Sequence, residues 1–239
     1  MKRFGRIRHM GTLHAALILL VRIAGLSAAA LWRRLMVRTT FVAITGSVGK
    51  TTAKECIAAA LATRNQVAST FGSQNHFNGI FRTLMRVRPW HRYAVVEIGL
   101  DGPGQMKWFA CVVKPDIAVW MGAARAHTDR FKSLEQTAAE KSLLVRTVRP
   151  PGWAVLNADN PYSAACVPPA GVRAIRFGTD ESAEVRATGA ASAWPDRLSF
   201  ELHADGESFP VRTRLIGTHW TPSVLAGFAV GQALRHWLE

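Results

Sequence analysis

The run Thr39-Thr40-Phe41-Val42-Ala43-Ile44-Thr45 passes without a break into Gly46-Ser47-Val48-Gly49-Lys50-Thr51-Thr52, and Ala53 to Leu61 then follows a helical pattern. A continuous apolar, β-prone run is the pattern of a strand buried on both faces, which occurs in parallel sheets covered by helices. Strand, glycine loop and helix in that order commit the chain to an α/β fold with an anion site where strand meets helix. Gly46 and Gly49 let backbone N–H groups close on phosphate oxygens, and the helix N-terminus adds its partial positive charge. Lys50 can reach the terminal phosphates and the Thr51 hydroxyl can ligate magnesium. Residues Gly46, Ser47, Val48, Gly49, Lys50, Thr51 and Thr52 are therefore the expected phosphate-binding set, with Mg2+ beside the phosphates. The long form of this loop has a further glycine where the chain has Ile44, so the motif is present in shortened form.

The chain has 239 residues, 49% of them hydrophobic, and a formal net charge of +14. That apolar content excludes a disordered polyelectrolyte. Cys56, Cys111 and Cys166 lack any paired spacing, which excludes a disulfide framework and a zinc knuckle and fits a reducing compartment. Lys2, Arg3, Arg6, Arg8, Arg22, Arg33, Arg34 and Arg38 fall in the first forty residues, which hold no acidic residue, so the remainder is only modestly basic. Leu13 to Trp32 is almost wholly apolar. A bilayer core needs about 20 such residues, but Arg22 at its centre costs roughly 2.5–3.5 kcal/mol. A helix in the headgroup plane avoids that cost, with Leu17, Leu20, Ala24 and Leu31 toward the acyl chains. Residues 1–38 are thus expected to be a basic, apolar membrane-associating arm; a true span and a helix packed on the domain or a partner stay open. No A-x-A-like site marks a signal peptide. The arm lacks a base-reading motif, so no nucleic-acid partner is expected.

Downstream, Ala174–Phe177 has the pattern of a last parallel strand. Glu184–Thr188, Leu198–His203 and Ser208–Leu215 alternate apolar and polar residues around an Asp205-Gly206 turn. Ser133 and Gln136 form a capping-box signal, and Thr221 with Pro222 is expected to start a last helix.

These motifs resemble the Mur ligases, ATP-dependent amide-forming enzymes of peptidoglycan assembly, and most of all the branch whose amine is D-alanyl-D-alanine. The resemblance runs from about Thr39 to Leu234. It includes Asn75-His76-Phe77-Asn78-Gly79, the strand Tyr93 to Gly99, the strand Val113 to Val119, His127 with Lys141 fourteen residues on, and Trp153 to Pro161. It implies a P-loop three-layer domain with a mostly parallel central sheet, a small antiparallel β subsheet at about 180–216, and the N-terminal basic apolar helix. It also implies roles: Glu97 as a magnesium ligand beside Thr51, His127 at a second magnesium, Lys141 as a carbamylated lysine that ligates metal, and Asn157 and Asp159 near the nucleotide base. Lys50, Glu97, His127 and Lys141 are the expected catalytic group. The chemistry is consistent with the residues, since a carboxylate at a strand's carboxyl end lies where open α/β sheets bind ligands. A lysine amine depressed by burial among cations can add carbon dioxide.

The departures are specific. Trp220 and Ser223 stand where the family has asparagines, Gly122 replaces an asparagine ahead of His127, and Arg125 replaces a proline. An arm stands in place of the usual UDP-binding domain and the sequence stops where a C-terminal domain would begin. The expected function is an ATP-dependent carboxylate–amine ligase working through an acyl phosphate, cytoplasmic and at the inner face of the membrane. Its substrates would be a UDP-linked carboxylate and an amine such as D-alanyl-D-alanine, with a partner chain or homo-oligomer supplying what one domain lacks. The alternative is a catalytically degenerate nucleotide-binding scaffold on the membrane that needs a partner chain.

Overall fold

The strand ahead of the glycine loop, β1 (Thr40–Thr45), is buried at Phe41 through Thr45 and sends alternate side chains into two separate cores. Phe41 and Ala43 belong to one and Val42 and Ile44 to the other. That is the geometry a period of two requires of a strand with helices on both faces. The computed structural model describes residues 12–125 and 131–238, and of residues 12–19, 22 and 238 the backbone only.

The other elements, in chain order, are α1 (Thr12–Leu35), α2 (Lys50–Ala62), β2 (Val67–Ser69), α3 (Phe77–Arg86), β3 (Tyr93–Glu97), α4 (Gln105–Val113), β4 (Ile117–Trp120), α5 (Leu134–Arg146), β5 (Trp153–Asn157), α6 (Pro161–Ala164), β6 (Arg173–Gly178), β7 (Val185–Ala191), β8 (Ser199–Ala204), β9 (Glu207–Arg212), a 3-10 turn (Thr218–Trp220) and α7 (Thr221–Leu238). One sheet holds the strands in the order β2-β3-β1-β4-β5-β6-β7-β8-β9. The chain leaves β1 toward β2 and β3 on one side, then crosses to β4 on the other, so β1 is the topological switch point where ligand crevices form. α2 and α7 pack together over one face, and α1 packs on α3 and α4 on the other side.

The antiparallel strands continue this sheet. β6 is not the last parallel strand: β7 pairs with it in parallel at Phe177↔Val185 and Gly178↔Arg186 before turning to pair with β8. This two-residue pairing is too short to leave an apolar run in the sequence. The β8–β9 turn is as expected, with Asp205 (φ 53) and Gly206 (φ 77) both left-handed, the pair of conformations a two-residue hairpin needs.

Two caps differ from the sequence reading. Ser133 Oγ accepts from Gln136 N, but Gln136 Oε1 accepts from Lys132 N, one residue outside the box. Thr221 Oγ1 donates back to Thr218 O, because the 3-10 turn runs straight into α7 and leaves no free helix start for it to cap.

The last turns of α1 are anchored in the domain. Ala29 and Met36 lie in the core, and Trp32 Nε1 donates to Val87 O. Arg33 is buried and donates to Val113 O, Lys114 O and Asp116 Oδ2, while Phe41 N donates to the same Asp116 oxygen. Burial lowers the Arg33 pKa and raises that of Asp116, and their mutual attraction opposes both shifts. Among the described residues no helix is long and apolar enough to cross a membrane.

Candidate nucleotide and metal site

Gly49 ends the loop in a left-handed conformation, φ 79, which glycine adopts without penalty, and α2 begins at Lys50 with no capping side chain and no acidic residue in its first turn. The first N–H groups of α2 are thus left for an external acceptor. Gly46 is required for another reason: a Cβ there would come within 2.7 Å of Met121 Cβ, so the loop can lie against the β4 end only without a side chain. Ser47 N donates to Gly122 O at 3.0 Å and fixes that approach. Lys50 Nζ folds over the loop onto Gly46 O (2.8 Å) and Ser47 O (3.3 Å), both replaceable by phosphate oxygens. Burial lowers its pKa, and the charge of Glu97 opposes the shift. Ser223, at the start of α7, donates to Gly49 O at 3.4 Å, so one of the departures touches the loop directly.

Glu97 ends β3 beside the loop and is fully buried. Its Oε1 accepts from Thr51 Oγ1 at 3.0 Å and from Asn75 Nδ2 at 2.7 Å. Its Oε2 is buried with no partner among the described residues. An orphaned buried carboxylate oxygen is costly unless something cationic completes it. A hard divalent cation fits the donor set of Glu97 and Thr51.

Lys50 and Lys141 line the same small cavity, of about 40 Å³, together with Asn75, His76 and Phe131. Lys141, on α5, is 5% exposed. Burial, helped by the nearby charge of Lys50, pushes its pKa down to about 8, with Glu140 opposing. His76 Nδ1 lies 3.2 Å from Asp101 Oδ2. His127 lies outside the described residues, and among the described residues no group of three His, Cys, Asp or Glu side chains gathers as a metal cluster. Asn157 and Asp159 are engaged within the fold: Asn157 Nδ2 donates to Met121 O, and Asp159 Oδ1 accepts from the Thr179 and Asp180 backbone N–H groups.

Four residues behind the site were not singled out from the sequence. Lys54 is fully buried, donates to Thr70 O (2.6 Å) and Gly72 O (2.7 Å), and pairs with Glu55. Thr70 Oγ1 accepts from Glu97 N. Asn75, quoted only as part of a motif, holds the Glu97 carboxylate. Asn160 clamps Ala123 through both its backbone groups. Asn75 and Asn160 lie in the quoted segments without having been given a role; Lys54 and Thr70 act through contacts that local periodicity does not encode.

Residues 44–231 match the family model of the Mur ligase middle domain. The chain belongs to the Mur ligase family. This Mur ligase chain is 37% identical over 131 residues to UDP-N-acetylmuramoyl-tripeptide--D-alanyl-D-alanine ligase of Escherichia coli strain K12, covering 55% of the chain and 29% of that protein. It is 32% identical over 191 residues to the ligase of the same name from Mycobacterium tuberculosis strain H37Rv, covering 80% of the chain and 38% of the relative. The chain therefore spans well under half the length of these two relatives. Among solved structures it is similar to MurF from Acinetobacter baumannii, with a TM-score of 0.83 and 28% identity over 90% of this chain and 47% of that one. MurF of Thermotoga maritima in complex with ADP shares the fold, with a TM-score of 0.75 at 22% identity over 88% of this chain and 49% of that one.

Proposed function

We propose that this chain is the nucleotide-binding part of an ATP-dependent, ADP-forming carboxylate–amine ligase of the Mur type, acting in peptidoglycan synthesis in the cytoplasm. Its substrates are a UDP-linked muramoyl peptide and D-alanyl-D-alanine. The observation that carries the reading is the Glu97 carboxylate, held by Thr51 and Asn75 with one oxygen unpartnered among the described residues, beside a glycine loop whose lysine is bonded to the loop carbonyls Gly46 O and Ser47 O. Catalysis in such a site is mainly positioning and charge neutralisation.

Lys50 exchanges Gly46 O and Ser47 O for the terminal phosphates, and the open start of α2 receives the inner phosphate oxygens. Thr51 and Glu97 are the residues that hold Mg2+, with His127 and Lys141, carbamylated, as the proposed second set. When bound, the metal neutralises charge on the phosphate oxygens. A carboxylate oxygen of the peptide substrate attacks the γ-phosphorus of ATP and ADP leaves, giving an acyl phosphate. The amine nitrogen of D-alanyl-D-alanine then adds to the acyl carbon and loses a proton, phosphate leaves, and an amide remains. Residues 39–239 form the nucleotide domain in this reading, and amine placement and water exclusion fall to another domain or chain.

The test is ATP binding and ADP release, with and without magnesium, for the wild type and Lys50→Ala, with UDP-linked muramoyl tripeptide and D-alanyl-D-alanine present. Magnesium-dependent ATP binding lost in Lys50→Ala is expected of this chain, and ADP release that needs both substrates is expected where the completing domain or chain is also present. Absence of magnesium-dependent binding overturns the reading. Binding without substrate-stimulated turnover favours a scaffold whose base recognition was altered at Trp220 and Ser223.

A further inference from the structure

α1 is apolar on both sides. Its inner face, with Ala29 and Trp32, packs on the domain, and Met36 just past its end joins the same core. On its outer face Leu20, Val21, Ile23, Leu31 and Leu35 are between 49% and 64% exposed. Leu20, Ala24, Leu31 and Leu35 fall within a narrow arc at 100° per residue, opposite Ala29. A helix that buries one face and keeps the other apolar needs a second apolar environment.

The charge around that face identifies the environment. Arg34 and Arg38 are exposed at and just past the end of α1, and Arg92, also exposed, donates to Arg38 O and shares with Arg38 a cavity of about 340 Å³ lined also by Val37, Trp237 and Asp116. α3 and α4, on which α1 packs, add exposed Arg82, Arg86 and Lys107. None of the three helices contains an acidic residue. The one carboxylate lining that cavity, Asp116, is paired with Arg33, and an apolar strip with such an excess of cations complements an anionic lipid surface, where buried apolar area and basic residues act together. The Arg33–Asp116 pair, 3.1 Å, ties the end of the helix to the domain.

We propose that the outer face of α1 lies in the headgroup plane of an anionic bilayer, with Arg34, Arg38 and Arg92 against lipid phosphates. The helix lies on the membrane and does not cross it. This docking is separate from the nucleotide site, so it stands or falls independently of the ligase reading.

The experiment is co-sedimentation of the full chain with vesicles of phosphatidylcholine alone or with about 30% phosphatidylglycerol, at low and high salt. Binding to the anionic vesicles is expected, weaker by about tenfold on neutral vesicles and at high salt. Leu20→Glu with Leu31→Glu should weaken it by at least about tenfold, and Arg34→Gln with Arg38→Gln should remove most of the salt dependence, both with unchanged melting temperature and ATP affinity. Leu31→Ser with Leu35→Ser gives the same loss of binding without added charge. A folded chain that ignores anionic vesicles overturns the proposal. So does lipid binding indifferent to these substitutions, or a dimer that the same substitutions disperse and that does not bind lipid.

Discussion

Asn75 and Thr51 donate to the same oxygen of Glu97, at 2.7 and 3.0 Å, and leave the other carboxylate oxygen buried without a partner among the described residues. Glu97→Gln keeps an acceptor for both donors and removes the charge. The melting temperature without ligand should change little, because the cost of burying the charge is removed together with its attraction to Lys50. Magnesium-dependent ATP affinity should fall by at least about tenfold. Calorimetric titration with magnesium and with a chelator checks this; equal metal dependence in the two proteins would sink the assignment of Glu97.

Lys54 supports Glu97 from behind. Its Nζ holds Thr70 O and Gly72 O, and the Thr70 hydroxyl accepts from Glu97 N. Lys54→Met leaves the Thr70 carbonyl unpaired in a buried place, while Gly72 O is near enough to the surface to turn to water, and should destabilise the fold by about 1–3 kcal/mol. Denaturant unfolding measures that cost. The same variant should weaken magnesium-dependent ATP binding without touching phosphate, and a variant with full metal dependence would show that Glu97 needs no such support.

Lys141 gives a pH dependence of defined sign. Its folded pKa is about 8 against an ordinary value of 10.5. Between those values the unfolded chain binds more protons than the folded one, so stability rises with pH across that window. Below it both states carry the charge, and burying it costs the folded state about 3 kcal/mol at most. In bicarbonate-free buffer, Lys141→Met should therefore be more stable than the wild type near neutrality, and the gain should fade toward about pH 10. Unfolding curves at several pH values check this, and a wild type whose stability falls between pH 8 and 10.5 relative to the variant would contradict it.

What the sequence disclosed, and what it hid, follows the range of the interactions. The β1–loop–α2 unit was legible because apolar period, glycines and lysine lie within a dozen residues. Glu97 was legible as a charge ending an apolar strand. Lys54, in contrast, looks like any solvated helix lysine beside Glu55, and only the return of the chain at Thr70 and Gly72 buries it. Arg33 counts as one more charge of a basic arm until Asp116, 83 residues away, takes it into the domain. The two-residue β6–β7 pairing has no local signature either.

Gly122, read as a lost asparagine, has a spatial explanation in Asn160. The glycine sits at φ +114, and a Cβ there would lie 2.5 Å from Asn160 Cγ. Asn160 meanwhile accepts from Ala123 N and Ser163 N and donates to Ala123 O, fixing the loop after β4. Restoring the side chain by Gly122→Asn should destabilise the protein by about 2–4 kcal/mol, through backbone strain and the clash. Asn160→Ala alone should cost about 1–3 kcal/mol through the unpaired Ala123 groups. In the double variant the clash is gone, so the loss should fall short of the sum by about 1 kcal/mol or more. A double-mutant cycle by urea denaturation measures the coupling. Strict additivity would mean that the glycine and the asparagine occupy their positions independently, and the replacement at 122 would then be a matter of backbone conformation alone.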